Sequence, residues 1–133
     1  MGKAHKTKLI TGSYNYSDKQ GVQVQLSLYV FEEGEHTIVY CPALDISGYG
    51  SNEDAAQDDF KAVMTEYFRY IIQKKTVRED LTRMGWTVKK SLHKKMTPPT
   101  DEEVMKMNES FSELMKTNPI KRLSEPIQIP AFA

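Results

Sequence analysis

The chain has 133 residues and a mass of 15.3 kDa, enough for one domain with one core plus an appendage, but too little for two full domains. Its one cysteine excludes an internal disulfide framework and a cysteine-rich metal site. The first residues carry no apolar leader, and no run reaches the ~18 consecutive apolar residues of a membrane helix. We therefore expect a cytoplasmic protein with no membrane association.

The formal net charge is zero, yet the charges are sorted along the sequence. Residues 32–60 hold eight acids and no lysine or arginine, whereas residues 61–96 hold ten bases and three acids. Solvated faces and helix-dipole complementarity are one explanation of this sorting. An acidic surface that attracts a basic partner is the functional alternative.

Three strands are predicted before the first helix. Residues 8–16 are a weak candidate. Apolar and polar side chains alternate most clearly in residues 22–31, which is typical of a half-buried strand. Residues 37–40 return after a turn at Glu33 and Gly34 and stop before Pro42, which cannot donate to a ladder. The pattern predicts a three-stranded antiparallel meander.

A long amphipathic helix is predicted over residues 52–75. Asn52 is suited to cap its first turn, and Glu53 and Asp54 suit the positive end of the dipole. Its apolar positions recur at helical spacing; they are Ala56, Phe60, Val63, Met64, Tyr67, Phe68, Ile71 and Ile72.

Beyond this helix, Thr76 and Glu79 predict a capping box that opens a short second helix, which Gly85 ends. Residues 86–88 are β-prone and are predicted to return to the sheet as a fourth strand.

A second capping box, at Thr100 and Glu103, predicts one further helix that Asn118 and Pro119 terminate. Its apolar stripe should dock on the core, on a second copy or on a partner; the stripe is Val104, Met107, Phe111, Leu114 and Met115. Residues 126–130 are extended and apolar, and suit a sheet edge. We therefore divide the chain into a domain of residues 1–96 and an appendage of residues 97–133.

Catalytic and metal-binding patterns are weak. Cys41 and His36 lie five residues apart on one strand, on opposite faces and roughly 17 Å from each other, so they do not form a dyad. Asp58 and Asp59 are helix neighbours that diverge by about 100°, which suits a solvated face better than a metal site. We expect no catalytic residue, no metal and no cofactor.

Gly48, Tyr49 and Gly50 have two interpretations. In the first, the glycines permit positive φ at a strand-to-helix loop and Tyr49 covers the core. In the second, Tyr49 is an exposed aromatic anchor among acids, a residue type that often dominates binding energy.

The sequence around this loop resembles the HicB-like antitoxin family over residues 22–90. An aromatic-Cys-Pro step ends a strand, a Pro-x-Leu-x-x-x-Gly loop follows, and a Gly-led segment opens the main helix. The matching residues are Tyr40, Pro42, Leu44, Gly48, Gly50, Asn52 and Ala56. The resemblance implies a trimmed ribonuclease-H-like fold and an antitoxin that occludes a small basic RNA-cleaving toxin without catalysis of its own.

The chain departs from that pattern in two places. Ala55 replaces the glutamate that would complete a capping box with Asn52. Residues 97–133 offer one helix and an extended tail, whereas helix-turn-helix and ribbon-helix-helix modules need two helices, so we do not expect DNA binding.

The fold expected is α+β, with a three- to four-stranded antiparallel sheet, one long helix on one face in β-β-β-α-β order, and a C-terminal helical tail. A toxin-like partner would bind at Asp45, Tyr49, Glu53, Asp54 and Asp58, and a homodimer or higher oligomer is a further expectation. The alternatives are a stand-alone protein-interaction domain and a nucleic-acid-binding module that uses the basic segment of residues 74–95.

Overall fold

The computed structural model describes residues 22–88, 96–117 and 120–129. In these ranges the elements are β1 (Val22–Glu33), β2 (His36–Cys41), β3 (Ile46–Gly50), α1 (Glu53–Lys74), α2 (Val77–Arg83), β4 (Thr87–Val88), β5 (Met96–Thr97), α3 (Asp101–Met107), α4 (Glu109–Thr117) and β6 (Lys121–Ile129). An antiparallel sheet of four strands has the order β3-β2-β1-β6, and β4 pairs with β5 in a separate ribbon. The α+β class with one long helix is confirmed.

The main core lies between one face of this sheet and α1. Alternate residues of β1 from Val22 to Val30 face the helix, and their partners on β2 and β6 do the same. On α1 the predicted stripe is buried at Ala56, Phe60, Met64, Phe68 and Ile71. Val63 departs from the prediction because it is exposed. Packing of this amphipathic face, more than intrinsic propensity, holds a helix of this kind in place.

Both ends of α1 carry the signals that its sequence predicts. The Asn52 side chain accepts a hydrogen bond from the Ala55 N–H at 2.8 Å, and Glu53 and Asp54 occupy the first turn. Lys75 ends the helix in a left-handed conformation. The capping box predicted for α2 is wrong, since the Thr76 hydroxyl donates to the Asp80 carboxylate and makes no cap bond.

The predicted loop at Gly48 and Gly50 is a strand, and the conformational interpretation of the two glycines is wrong. Neither has positive φ. A Cβ on Gly48 would lie 2.3 Å from the Phe60 backbone nitrogen, and one on Gly50 would lie 2.4 Å from that of Ala56. These glycines therefore let α1 lie directly against β3.

Residues 86–88 do not return to the main sheet as predicted. β4 pairs instead with β5 across the segment 89–95. Trp86 is buried in the main core, where its indole N–H donates to the Ala43 carbonyl at 2.8 Å. A two-residue strand carries too little pattern to specify its partner.

The C-terminal residues supply a strand and two helices. β6 pairs with β1 over nine positions, from Val22 with Ile129 to Val30 with Lys121, so the predicted edge addition is confirmed. The fourth strand of the sheet is therefore β6, and the third is β3. The predicted first strand, residues 8–16, lies outside the described residues.

The single tail helix predicted after Thr100 is two helices that meet at Asn108. The Thr100 and Glu103 capping box is present at the start of α3. Asn108 adopts an extended backbone, and its side chain accepts from the Phe111 N–H at 3.1 Å, which caps α4. Met107, which was predicted to belong to the buried apolar stripe, is exposed.

The two helices cover the sheet face opposite α1. Tyr29, Val104 and Phe111 form a second buried cluster there, with the Phe111 ring 5.4 Å from that of Tyr29. The tail is thus docked on the sheet, as its stripe predicts. The division at residue 96 stays a prediction, although β6 now belongs to the same sheet as β1. Among the described helices, none is long and apolar enough to cross a membrane.

Candidate partner-binding groove

A groove of about 610 Å³ lies between α4 and β3 on this second face of the sheet. Its floor is apolar and its rim is acidic and polar. The lining consists of Phe31, Glu32, Glu33, Ile38, Tyr40, Asp45, Ser47, Tyr49, Asn108, Ser110, Phe111 and Leu114. Three of these described residues are acidic and none is basic, so the groove presents negative charge over an apolar base.

The strand alternation explains why these side chains meet. Gly48 and Gly50 of β3 face α1, so Ser47 and Tyr49, which alternate with them along the strand, face the groove. The register places Tyr49 opposite Ile38 and Ser47 opposite Tyr40. Tyr49 is 54% exposed, which favours the anchor interpretation over a core-covering role.

Asp45 is fixed at the mouth of the groove by a tight turn. Its backbone is left-handed, with φ of 55°, and its N–H donates to the Cys41 carbonyl at 2.8 Å. Aspartate tolerates this conformation better than most residues. The Tyr40 hydroxyl donates to the Asp45 carboxylate at 2.8 Å, so the carboxylate is held in a defined position.

The same tyrosine connects the acidic rim to α4. The Asn108 amide donates to the Tyr40 hydroxyl oxygen at 3.2 Å, and the Tyr40 ring lies 5.9 Å from that of Phe111. Burial raises the pKa of Tyr40, and the hydrogen bond and charge of Asp45 raise it further. Tyr40 is therefore a neutral donor that fixes both Asp45 and the α4 wall.

The structure brings together two of the five predicted site residues. Asp45 and Tyr49 line the groove. Glu53 lies elsewhere and accepts from Lys121 at 2.7 Å, which joins α1 to β6. Asp54 and Asp58 are exposed on α1.

Other lining residues escaped the sequence interpretation. Glu32 and Glu33 end β1 and belong to the acidic segment already noted, so their charge was a usable signal. Tyr40 and Phe111 are 71 positions apart in sequence, and only the docking of α4 shows that they meet.

The described residues form neither a metal site nor a catalytic pair of Cys41 and His36. No group of three or more His, Cys, Asp or Glu side chains in residues 22–88, 96–117 and 120–129 is placed to hold a metal ion. Burial raises the pKa of the Cys41 thiol to about 12, while His36 is exposed.

The basic segment is divided in the structure. Lys74 lies over the Tyr70 ring, 4.8 Å from its centroid, and Arg83 pairs with Asp80. The four lysines at positions 89, 90, 94 and 95 lie outside the described residues.

We compared the chain with known protein families, curated proteins and solved structures. No protein-family model, no curated protein and no solved structure matches this chain.

Proposed function

We propose that this chain is a binding protein of the antitoxin kind, which captures a small basic RNA-cleaving protein in the groove and occludes its active surface. The observation that carries the proposal is the combination of Glu32, Glu33 and Asp45 on the rim with exposed Tyr49 and an apolar floor.

Physical reasoning supports a basic protein as the ligand. Acids on a rim raise the association rate of a positively charged partner, and apolar and aromatic contacts at the centre slow its dissociation. The Tyr40 and Asn108 contacts hold the rim and the wall in place before binding, which lowers the entropy lost on association. The resemblance of residues 22–90 to HicB-like antitoxins supplies the partner class.

The test uses the full chain and the product of the adjacent gene, if that gene encodes a small basic protein. Association and dissociation rates are measured at low and high salt, together with RNA cleavage by the partner. We expect nanomolar to micromolar binding and loss of cleavage when the chain is in excess.

Two charge-reversal variants distinguish binding in the groove from binding on α1. Glu33→Lys on the rim should slow association several-fold and flatten its salt dependence, whereas Asp54→Lys on α1 makes the same charge change away from the groove and should have little effect. Tyr49→Ala should mainly accelerate dissociation, by about tenfold or more.

Three results would contradict the proposal. One is the absence of a small basic protein beside this chain in its genome. Another is binding that leaves RNA cleavage unchanged. The third is a dependence on Asp54 with no dependence on Glu33, which would place the interface on α1.

A further inference from the structure

Beside its buried face, α1 carries an apolar stripe whose middle residue, Tyr67, packs against the main core and whose two outer residues are exposed. Val63 is 38% exposed and Tyr70 is 57% exposed, and the half-buried Tyr67 lies between them. The three positions follow the i, i+4, i+7 spacing of one helix face. Such a stripe is the usual seam of helix–helix packing.

Acidic and basic side chains are concentrated at opposite ends of α1. The first two turns hold four acids, which are Glu53, Asp54, Asp58 and Asp59. The last turns hold Arg69 and Lys74, followed by Lys75 at the cap. The two ends of the same helix are therefore of opposite sign.

We propose that this stripe is the interface of a homodimer in which α1 packs antiparallel against α1 of a second copy. A two-fold axis between Glu66 and Tyr67 places Val63 opposite Tyr70 of the other copy. Asp59 precedes Val63 by four residues and Lys74 follows Tyr70 by four, so the same axis also sets Asp59 opposite Lys74.

That register places complementary groups opposite each other at two pairs of positions, while Glu66 beside the axis is paired with Arg69 of its own helix at 2.7 Å. Apolar side chains meet at the centre, and each acidic helix end lies against the basic end of its partner. An isologous interface needs this self-complementarity, because each contact occurs twice. A parallel arrangement would set like charges against each other.

Helix packing, rather than strand pairing, is the mode that the structure favours. β3 is an edge strand on the same side of the molecule, but the Tyr49 N–H that would pair with another strand already donates to the Asp59 carboxylate at 2.9 Å. This bond blocks one of the few positions that a neighbouring strand would use.

Sedimentation equilibrium of the full chain over a wide concentration range tests the interface. We expect a reversible monomer–dimer equilibrium. Tyr70→Glu should weaken it by about tenfold or more, because the substitution removes an aromatic contact and places a carboxylate in the seam. Met107→Glu is the matched control, since Met107 is 55% exposed on another surface, and it should leave the equilibrium unchanged.

Cysteine cross-linking tests the register. Val63→Cys mixed with Tyr70→Cys should give a disulfide-linked dimer under oxidation. Val63→Cys alone should not, because its two copies would lie about 10 Å apart along the helices, beyond the reach of a disulfide. Cys41 is fully buried and does not contribute.

A chain that stays monomeric at all concentrations would overturn the proposal. So would a dimer that Tyr70→Glu leaves intact. Efficient linking of Val63→Cys to itself would reject the antiparallel register.

Discussion

Gly48 shows how a single absent side chain sets the distance between two elements. The nearest atoms to a Cβ at this position are the Phe60 backbone nitrogen, the Ala56 carbonyl oxygen and the Phe60 Cα, all within 2.6 Å. These atoms belong to the backbone of α1, so they cannot move without moving the helix.

We expect Gly48→Ala to destabilise the fold by about 3 kcal/mol or more, because one added methyl group must push α1 away from β3. Gly34→Ala is the comparison. Gly34 has φ of 64° and open space around its Cβ position, so alanine there should cost only about 1 kcal/mol of backbone strain. Chemical denaturation measures both, and equal midpoints would contradict the close contact of α1 with β3.

The faces of α1 can be tested at the level of the element. Phe60 is fully buried against the sheet, whereas Asp58 is exposed and 3.9 Å from Lys61. Phe60→Ala should cost about 3–5 kcal/mol through lost burial and the cavity left behind. Asp58→Ala should change the free energy of unfolding by less than about 0.5 kcal/mol.

Urea denaturation of the two variants beside the wild type checks this assignment. If Asp58→Ala shifted the midpoint as far as Phe60→Ala does, the assigned faces of α1 would be wrong.

Periodicity and turn signals made α1, β1 and β2 predictable from the sequence. In α1 and β1 apolar residues recur every 3.6 or 2 positions over long stretches, and α1 adds Asn52 as a cap. The short β2 has no such alternation, and the turn at Glu33 and Gly34 and the stop at Pro42 made it predictable. The strand β3 was missed because glycine has low strand propensity. The close contact with α1 that requires Gly48 and Gly50 is a tertiary contact, which the local sequence does not show.

The break between α3 and α4 at Asn108 was missed for a different reason. Val104 and Phe111 keep helical spacing across it, so the apolar pattern looks continuous. Asn108, three residues before Phe111, was a usable N-cap signal. The groove itself was only half predictable, since Asp45 and Tyr49 lie close together in the sequence whereas the opposite wall of the groove comes from α4.

For the whole molecule, β6 decides whether the sheet is complete. It covers the free edge of β1 and contributes Ile127 and Ile129, which are fully buried in the main core. A chain that lacks residues 121–133 loses both contributions. We expect it to lose cooperative unfolding or to aggregate, since β1 would expose a long apolar edge.

Removal of residues 130–133 alone is the control, because it leaves β6 whole, and this variant should unfold near the wild-type midpoint. Thermal melting and size-exclusion elution report both effects. An unchanged melting curve in the longer deletion would show that β1 is stable without its β6 partner.

The pairing of β1 with β6 also governs the order of events during synthesis. Lys121 joins Val30 across about 90 residues of intervening chain, and at about 5–20 residues per second the ribosome needs roughly 5–20 s to make them. During that interval β2, β3 and α1 are made and become available to β1, but its other edge has no native partner. The nascent chain therefore carries an open, apolar strand edge for seconds, and its yield in the cell depends on how well that edge is shielded until β6 emerges.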